Sequence, residues 1–157
     1  MTAVWKAADR IYVRLSKEER AFLARLPEVV GSVEADSADP AAARMRPDAY
    51  PGDGAASKEF SRLTRGELTD ARRADAEAFT RSLREAESEG ISLEQAESWL
   101  RLLGDARLVL AAREGIVREG ELPDPSAANP TLALVHYLGA LQNEIVEVLM
   151  TTMVDST

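Results

Sequence analysis

The chain has 157 residues, 45% of them hydrophobic and 29% charged, which suits one domain with a real core and disfavours disordered or fibrous classes. A formal net charge of −8 works against general attraction to nucleic acid or anionic membrane, because both are negative as well. The sequence holds no cysteine, so disulfides, thiolate nucleophiles, thiol redox sensing and cysteine-rich zinc sites are excluded.

The opening MTAVWKAADR lacks the apolar core of a signal peptide, and no run approaches the roughly 18 apolar residues of a membrane span, so a cytoplasmic location is the expectation. Residues 10–15, RIYVRL, alternate Ile11, Val13 and Leu15 against Arg10, Tyr12 and Arg14, the period-two pattern of a short half-buried strand. Ser16 followed by Glu19 makes a capping box, and Phe22, Leu23 and Leu26 supply the apolar stripe of a first helix. That helix either kinks at Pro27 and runs on to about Val30 or stops near Leu26.

Residues 31–56 turn small and acidic with Pro40, Pro47 and Pro51, and apolar periodicity disappears, as expected of a linker. Within it, Arg46 and Tyr50 are candidates for docking the loop on the core. The next stretch, through Phe60, Leu63, Leu68, Ala71, Ala78, Phe79 and Leu83, has helical spacing. A second capping box, Thr64 with Glu67, suggests a break there, and Gly90 suggests the stop. A third box, Ser92 with Gln95, starts a helix whose Trp99, Leu102, Leu103, Ala106, Val109 and Leu110 advance by three and four into a core. Residues 115–130 read as a second connector. Asn129 then caps a last helix with Pro130 in its first position, and Leu134, Leu138, Leu141, Ile145 and Val148 form its seam, packed within the chain or across a homodimer. The expected architecture is a mainly α single-domain bundle over 1–157, with about four to five helices and a short N-terminal strand.

Chemistry-bearing constellations are sparse. His136 is the sole histidine, so a histidine pair for metal and a spare base for a nucleophilic triad are both missing. No phosphate-cradling or dinucleotide motif occurs. Arg62, Arg65, Arg72, Arg73, Arg81 and Arg84 interleave with acids, so pairs along one helix account for most of them. The reading is a non-enzyme with no cofactor and no metal. Asp105 has two readings: a local pair with Arg101 one turn away, or a partly buried tether to another helix or the loop, with Arg72 and Asp75 among the neighbours considered. The second is preferred.

Four segments in order, RMRPDAYPGD, EFSRLTRGELTDARRADA, AESWLRLLGDARLVLAAREGI and HYLGALQNEIVEVL, resemble the actinobacterial oxidative-stress-regulator family, long catalogued only as a domain of unknown function. Its usual central form, W-L-x-x-L-N-D-x-R-L-x-L-G-x-R-L-G, is met at Trp99, Leu100, Leu103, Asp105, Arg107, Leu108, Leu110, Arg113 and Gly115. The chain departs at Gly104, Ala111 and Glu114, and the first change places a residue of poor helix propensity, costing roughly 1 kcal/mol, in mid-helix. The resemblance implies a small cytoplasmic regulator that meets a protein partner of the transcription machinery, a sigma factor or RNA polymerase, in stress response. Some members switch through an intramolecular disulfide, which a cysteine-free chain cannot form. An adaptor role in Clp-type proteolysis and a small-molecule-binding helical protein are the alternatives. Trp99, Asp105, Arg107 and Arg113, with Arg46 and Tyr50, are the residues the resemblance singles out.

Overall fold

In the computed structural model, which describes residues 2–35, 41, 52–114 and 129–155, the chain opens with a hairpin rather than a single strand. β1 (Ala3–Ala7) pairs antiparallel with β2 (Arg10–Arg14), setting Trp5 opposite Tyr12 and Lys6 opposite Ile11. The connecting turn is only Ala8 and Asp9, with Ala8 at φ +56°, a region where glycine or asparagine is the usual occupant. Lacking that turn signal, and with alanine at both ends, β1 is invisible to a search for alternation.

The far edge of β2 is also occupied. Ile11 exchanges both backbone hydrogen bonds with Ile91, at 2.9 and 2.6 Å, and the Val13 N–H donates to the Ala86 carbonyl at 3.0 Å. Ile11 and Val13 are thereby fully buried. Gly90 stands at this crossing with φ +73°, and a Cβ there would lie 3.0 Å from the Ile11 carbonyl oxygen.

Ser16 and Glu19 form the reciprocal capping box that opens α1 (Lys17–Ala24). The helix stops just before Leu26, the second of the two expected outcomes, and another helix begins there directly. It closes at Arg25, whose N–H donates to the Phe22 carbonyl at 3.0 Å, and α2 (Leu26–Ala35) starts at once. Pro27 cannot donate to the ladder, but in a first turn that donor is not required. Residues 31–35 are therefore helical, a correction to the expected linker at its start; at its end, Asp53 caps α3 (Gly54–Leu83) by accepting from the Ala56 N–H at 3.0 Å.

The 30 residues of α3 form one unbroken helix about 45 Å long. Thr64 does not interrupt it, because a capping box competes poorly with a ladder already running on both sides. The helix stops before Gly90: Glu85 to Gly90 form a turn in which the Glu85 carbonyl accepts from the N–H groups of Glu89 and Gly90. The Ser92–Gln95 box then opens α4 (Leu93–Arg113). Asn129 caps α5 (Pro130–Asp155), its side chain accepting from the Leu132 N–H at 3.2 Å.

Helix α4 is central, with Trp99, Leu102, Leu103, Ala106 and Val109 buried and Leu110 packed at the margin. It lies against α2, α3 and α5. Helix α5 runs antiparallel to it, with Gly139 against Arg107 and Gln142 against Gly104, and buries Val135, Leu138, Leu141 and Ile145. The expected mainly α fold with a short N-terminal β element is what the structure contains, with five helices among the described residues. No described helix is long and apolar enough to cross a membrane.

Candidate functional site

The residues singled out on α4 diverge instead of lining one pocket. Trp99 is fully buried, its ring tilted against Phe79 with centroids 4.7 Å apart, and its indole N–H donates to the Ser82 hydroxyl at 2.8 Å. Ser82 in turn donates to the Ala78 carbonyl at 2.7 Å, so the polar end of the tryptophan is anchored to α3.

Asp105 faces the same helix. Its carboxylate meets Arg72 at 3.5 Å, with both side chains largely covered. One turn earlier, Arg101 reaches back to Asp75 through two bonds of 2.9 Å, from Nε and from an Nη. Each helix thus carries a cation followed about one turn later by an anion, and because the two axes run antiparallel each cation faces the other helix's anion, so that two ion pairs cross the seam. Arg72 and Asp75, weighed both as pairs along their own helix and as partners in the preferred tether, are used between helices. Arg101, the local partner considered for Asp105, belongs to Asp75. Burial pushes the Asp105 carboxyl above its ordinary value, and Arg72 offsets only part of that rise.

Arg107 points to the opposite neighbour. Its guanidinium rests on Gly139, where an added Cβ would approach within 3.2 Å, and it lines a cleft of about 500 Å³ with His136, Gln142 and Asn143. Arg113 turns to α2 and donates to the Ser32 hydroxyl at 2.8 Å. Arg46 and Tyr50 lie outside the described residues. Three arms of one helix therefore reach three neighbours: Asp105 to α3, Arg107 to α5, Arg113 to α2.

A second polar group was not anticipated from sequence. The Thr2 hydroxyl donates to Glu19 on α1 and lies 3.0 Å from the Tyr137 hydroxyl on α5. Burial acts to raise the Glu19 carboxyl, but hydrogen bonds from Thr2, the Ser16 backbone and Tyr137 outweigh it and hold the carboxyl at about 2. Tyr137 is pushed upward, chiefly by burial. The only sequence signal was Glu19 as a capping residue; its reach to Tyr137 depends on tertiary packing.

The outer face of the hairpin carries Trp5 stacked on Tyr12, centroids 5.6 Å apart, with the Arg14 guanidinium 5.2 Å from the Trp5 ring centre. Arg14 also pairs with Glu87 at 3.2 Å. Away from the core, the N-terminal half of α3 exposes Leu63 (66%) and Leu68 (41%). Among the described residues, no three histidine, aspartate or glutamate side chains are grouped to hold a metal ion.

Compared with known families, residues 1–149 match one described as Domain of unknown function (DUF2017). Neither a curated protein nor a solved structure matches the chain.

Proposed function

This chain belongs to the DUF2017 family, and from that premise we propose that it is a non-enzymatic regulator acting by protein–protein contact with the transcription machinery, in the manner of the oxidative-stress regulators it resembles. The observation that carries the reading is the division of labour along α3 and α4. The residues of the resemblance on α4 are spent on holding helices together, whereas the N-terminal half of α3 leaves Leu63 and Leu68 exposed. Large apolar side chains exposed on a helix suit recognition by another protein, because each gains about 1.5–3 kcal/mol on full burial. With no cysteine, any stress input must arrive by a route other than a disulfide within the chain.

The test is affinity purification of the tagged chain from its own host, with and without peroxide, read by mass spectrometry. Recovery of a sigma factor or RNA polymerase by the parent, lost in Leu63→Glu/Leu68→Glu with an unchanged melting temperature, supports the proposal. Clp components recovered in their place would favour the adaptor reading. Retention of the partner by the double variant would remove α3 from the interface.

A further inference from the structure

Among the described residues, the outer edge of β1 has no backbone partner. Because Ile11 gives both its backbone hydrogen bonds to Ile91, the facing pair Lys6–Ile11 cannot be a hydrogen-bonded pair. The bonds joining β1 to β2 then fall at Ala3–Arg14, Trp5–Tyr12 and Ala7–Arg10, and the N–H and C=O groups of Val4 and Lys6 point away from β2. Among the described residues nothing accepts from or donates to them. An edge of this kind is a template for another strand.

We propose that this edge pairs with the same edge of a second copy, antiparallel about Trp5, so that two hairpins join into one four-stranded sheet. The register follows from the residues. Centring the pair on Trp5 sets Val4 opposite the second copy's Lys6 and Lys6 opposite its Val4, and these are the residues whose backbone groups are open, so four hydrogen bonds close. The two Trp5 side chains meet at the central pair without hydrogen bonds, where side chains approach most closely. On the same face Ala3 stands opposite Ala7, so only small side chains flank the indoles. Centring on Lys6 would oppose two ammonium groups, and centring on Val4 would leave Lys6 and Ala7 without partners in the second copy's β1.

Five residues a side fall well short of the roughly 1,000 Å² of a stable interface, so association is weak and concentration-dependent. A second copy is favoured over a foreign strand because the strand is complementary to itself in hydrogen bonding and side-chain size in the register centred on Trp5, which also keeps the two Lys6 side chains from facing each other.

Sedimentation of the full chain from micromolar to millimolar concentration, with circular dichroism of the tryptophans, tests this. The expected result is a monomer–dimer equilibrium in which dimer formation brings an exciton couplet from the paired Trp5 indoles. Lys6→Pro deletes the outward N–H in both copies while leaving the β1–β2 bonds intact, and should weaken the dimer about tenfold or more at an unchanged melting temperature. If that variant melts differently, Trp5→Lys, which opposes two charges at the centre of the register, must dissociate the dimer instead. A chain that stays monomeric at millimolar concentration overturns the proposal. So does a dimer without the couplet, or one indifferent to the variants.

Discussion

Arg72 and Asp105 meet across the α3–α4 seam at 3.5 Å, while Arg101, one turn from Asp105 on its own helix, turns away to Asp75. Covered on both sides, the Arg72–Asp105 pair should couple the helices by about 1–2 kcal/mol in a double-mutant cycle of Arg72→Ala and Asp105→Ala, the remaining exposure keeping it below a fully buried pair. Urea denaturation of the four proteins measures it. Coupling indistinguishable from zero would mean that the helices are held by their apolar faces alone.

Ser82 is a small residue with a large dependent. Ser82→Ala leaves the buried indole N–H of Trp99 without its acceptor, at a cost of about 1–3 kcal/mol, far more than a surface serine would show. In Trp99→Phe the donor is gone, so adding Ser82→Ala to it should cost less than in the parent. Equal penalties in both backgrounds would disprove the link.

Gly90 is constrained twice, by its φ of +73° and by the Ile11 carbonyl 3.0 Å from any added Cβ. Gly90→Ala is expected to lose about 2–4 kcal/mol, combining left-handed strain with a backbone clash. Ala8, at φ +56°, is the reverse case, and Ala8→Gly should gain about 0.5 kcal/mol after the entropy of glycine is charged against the relief. Thermal unfolding gives both signs.

Gly104 differs in kind. It lies within a continuous α4, and a Cβ there meets only the end of the Gln142 side chain, at 3.2 Å. That amide can swing aside, giving up a long contact of 3.4 Å to the Leu100 carbonyl. Gly104→Ala should therefore stabilise by about 0.5 kcal/mol, most of the helix-propensity gain surviving. A loss above this amount would show that Gln142 is not free to move.

Glu19 gives the chain an acid-sensitive joint. Its carboxyl is held at about 2 against an ordinary 4.5, so its contribution is complete above pH 4.5 and is lost as pH falls toward 2. Solvent screening limits that contribution to about 1 kcal/mol. Glu19→Gln retains the capping geometry and removes the titration, so its stability should change less than the parent's across this window. Parallel pH profiles would place the acid sensitivity elsewhere.

Features encoded by local chemistry were legible in the sequence. The boxes at Ser16 and Ser92, the Asn129–Pro130 start and the stripe from Trp99 to Val109 lie where side chain and backbone decide the outcome within one or two turns. What escaped depends on distant segments. β1 is defined by its pairing with β2, the helix runs on through Thr64 in place of the expected break, and Gly90 marks a strand crossing rather than a helix end. The candidate residues follow the same division: Asp105 was visible as a charge beside an apolar stripe, but its choice of Arg72 over Arg101 depends on the antiparallel setting of α3 and α4.

The hairpin also sets an order of assembly. Its second strand is completed by Ala86 and Ile91, and the residue preceding its first strand bonds to Tyr137. During synthesis from the N-terminus, the first fourteen residues emerge long before the groups that fix them. At about 5–20 residues per second, they wait roughly 6–25 seconds for the α5 contact. The hairpin is thus made before the segments that complete it, and for that interval its strand edges lack those partners.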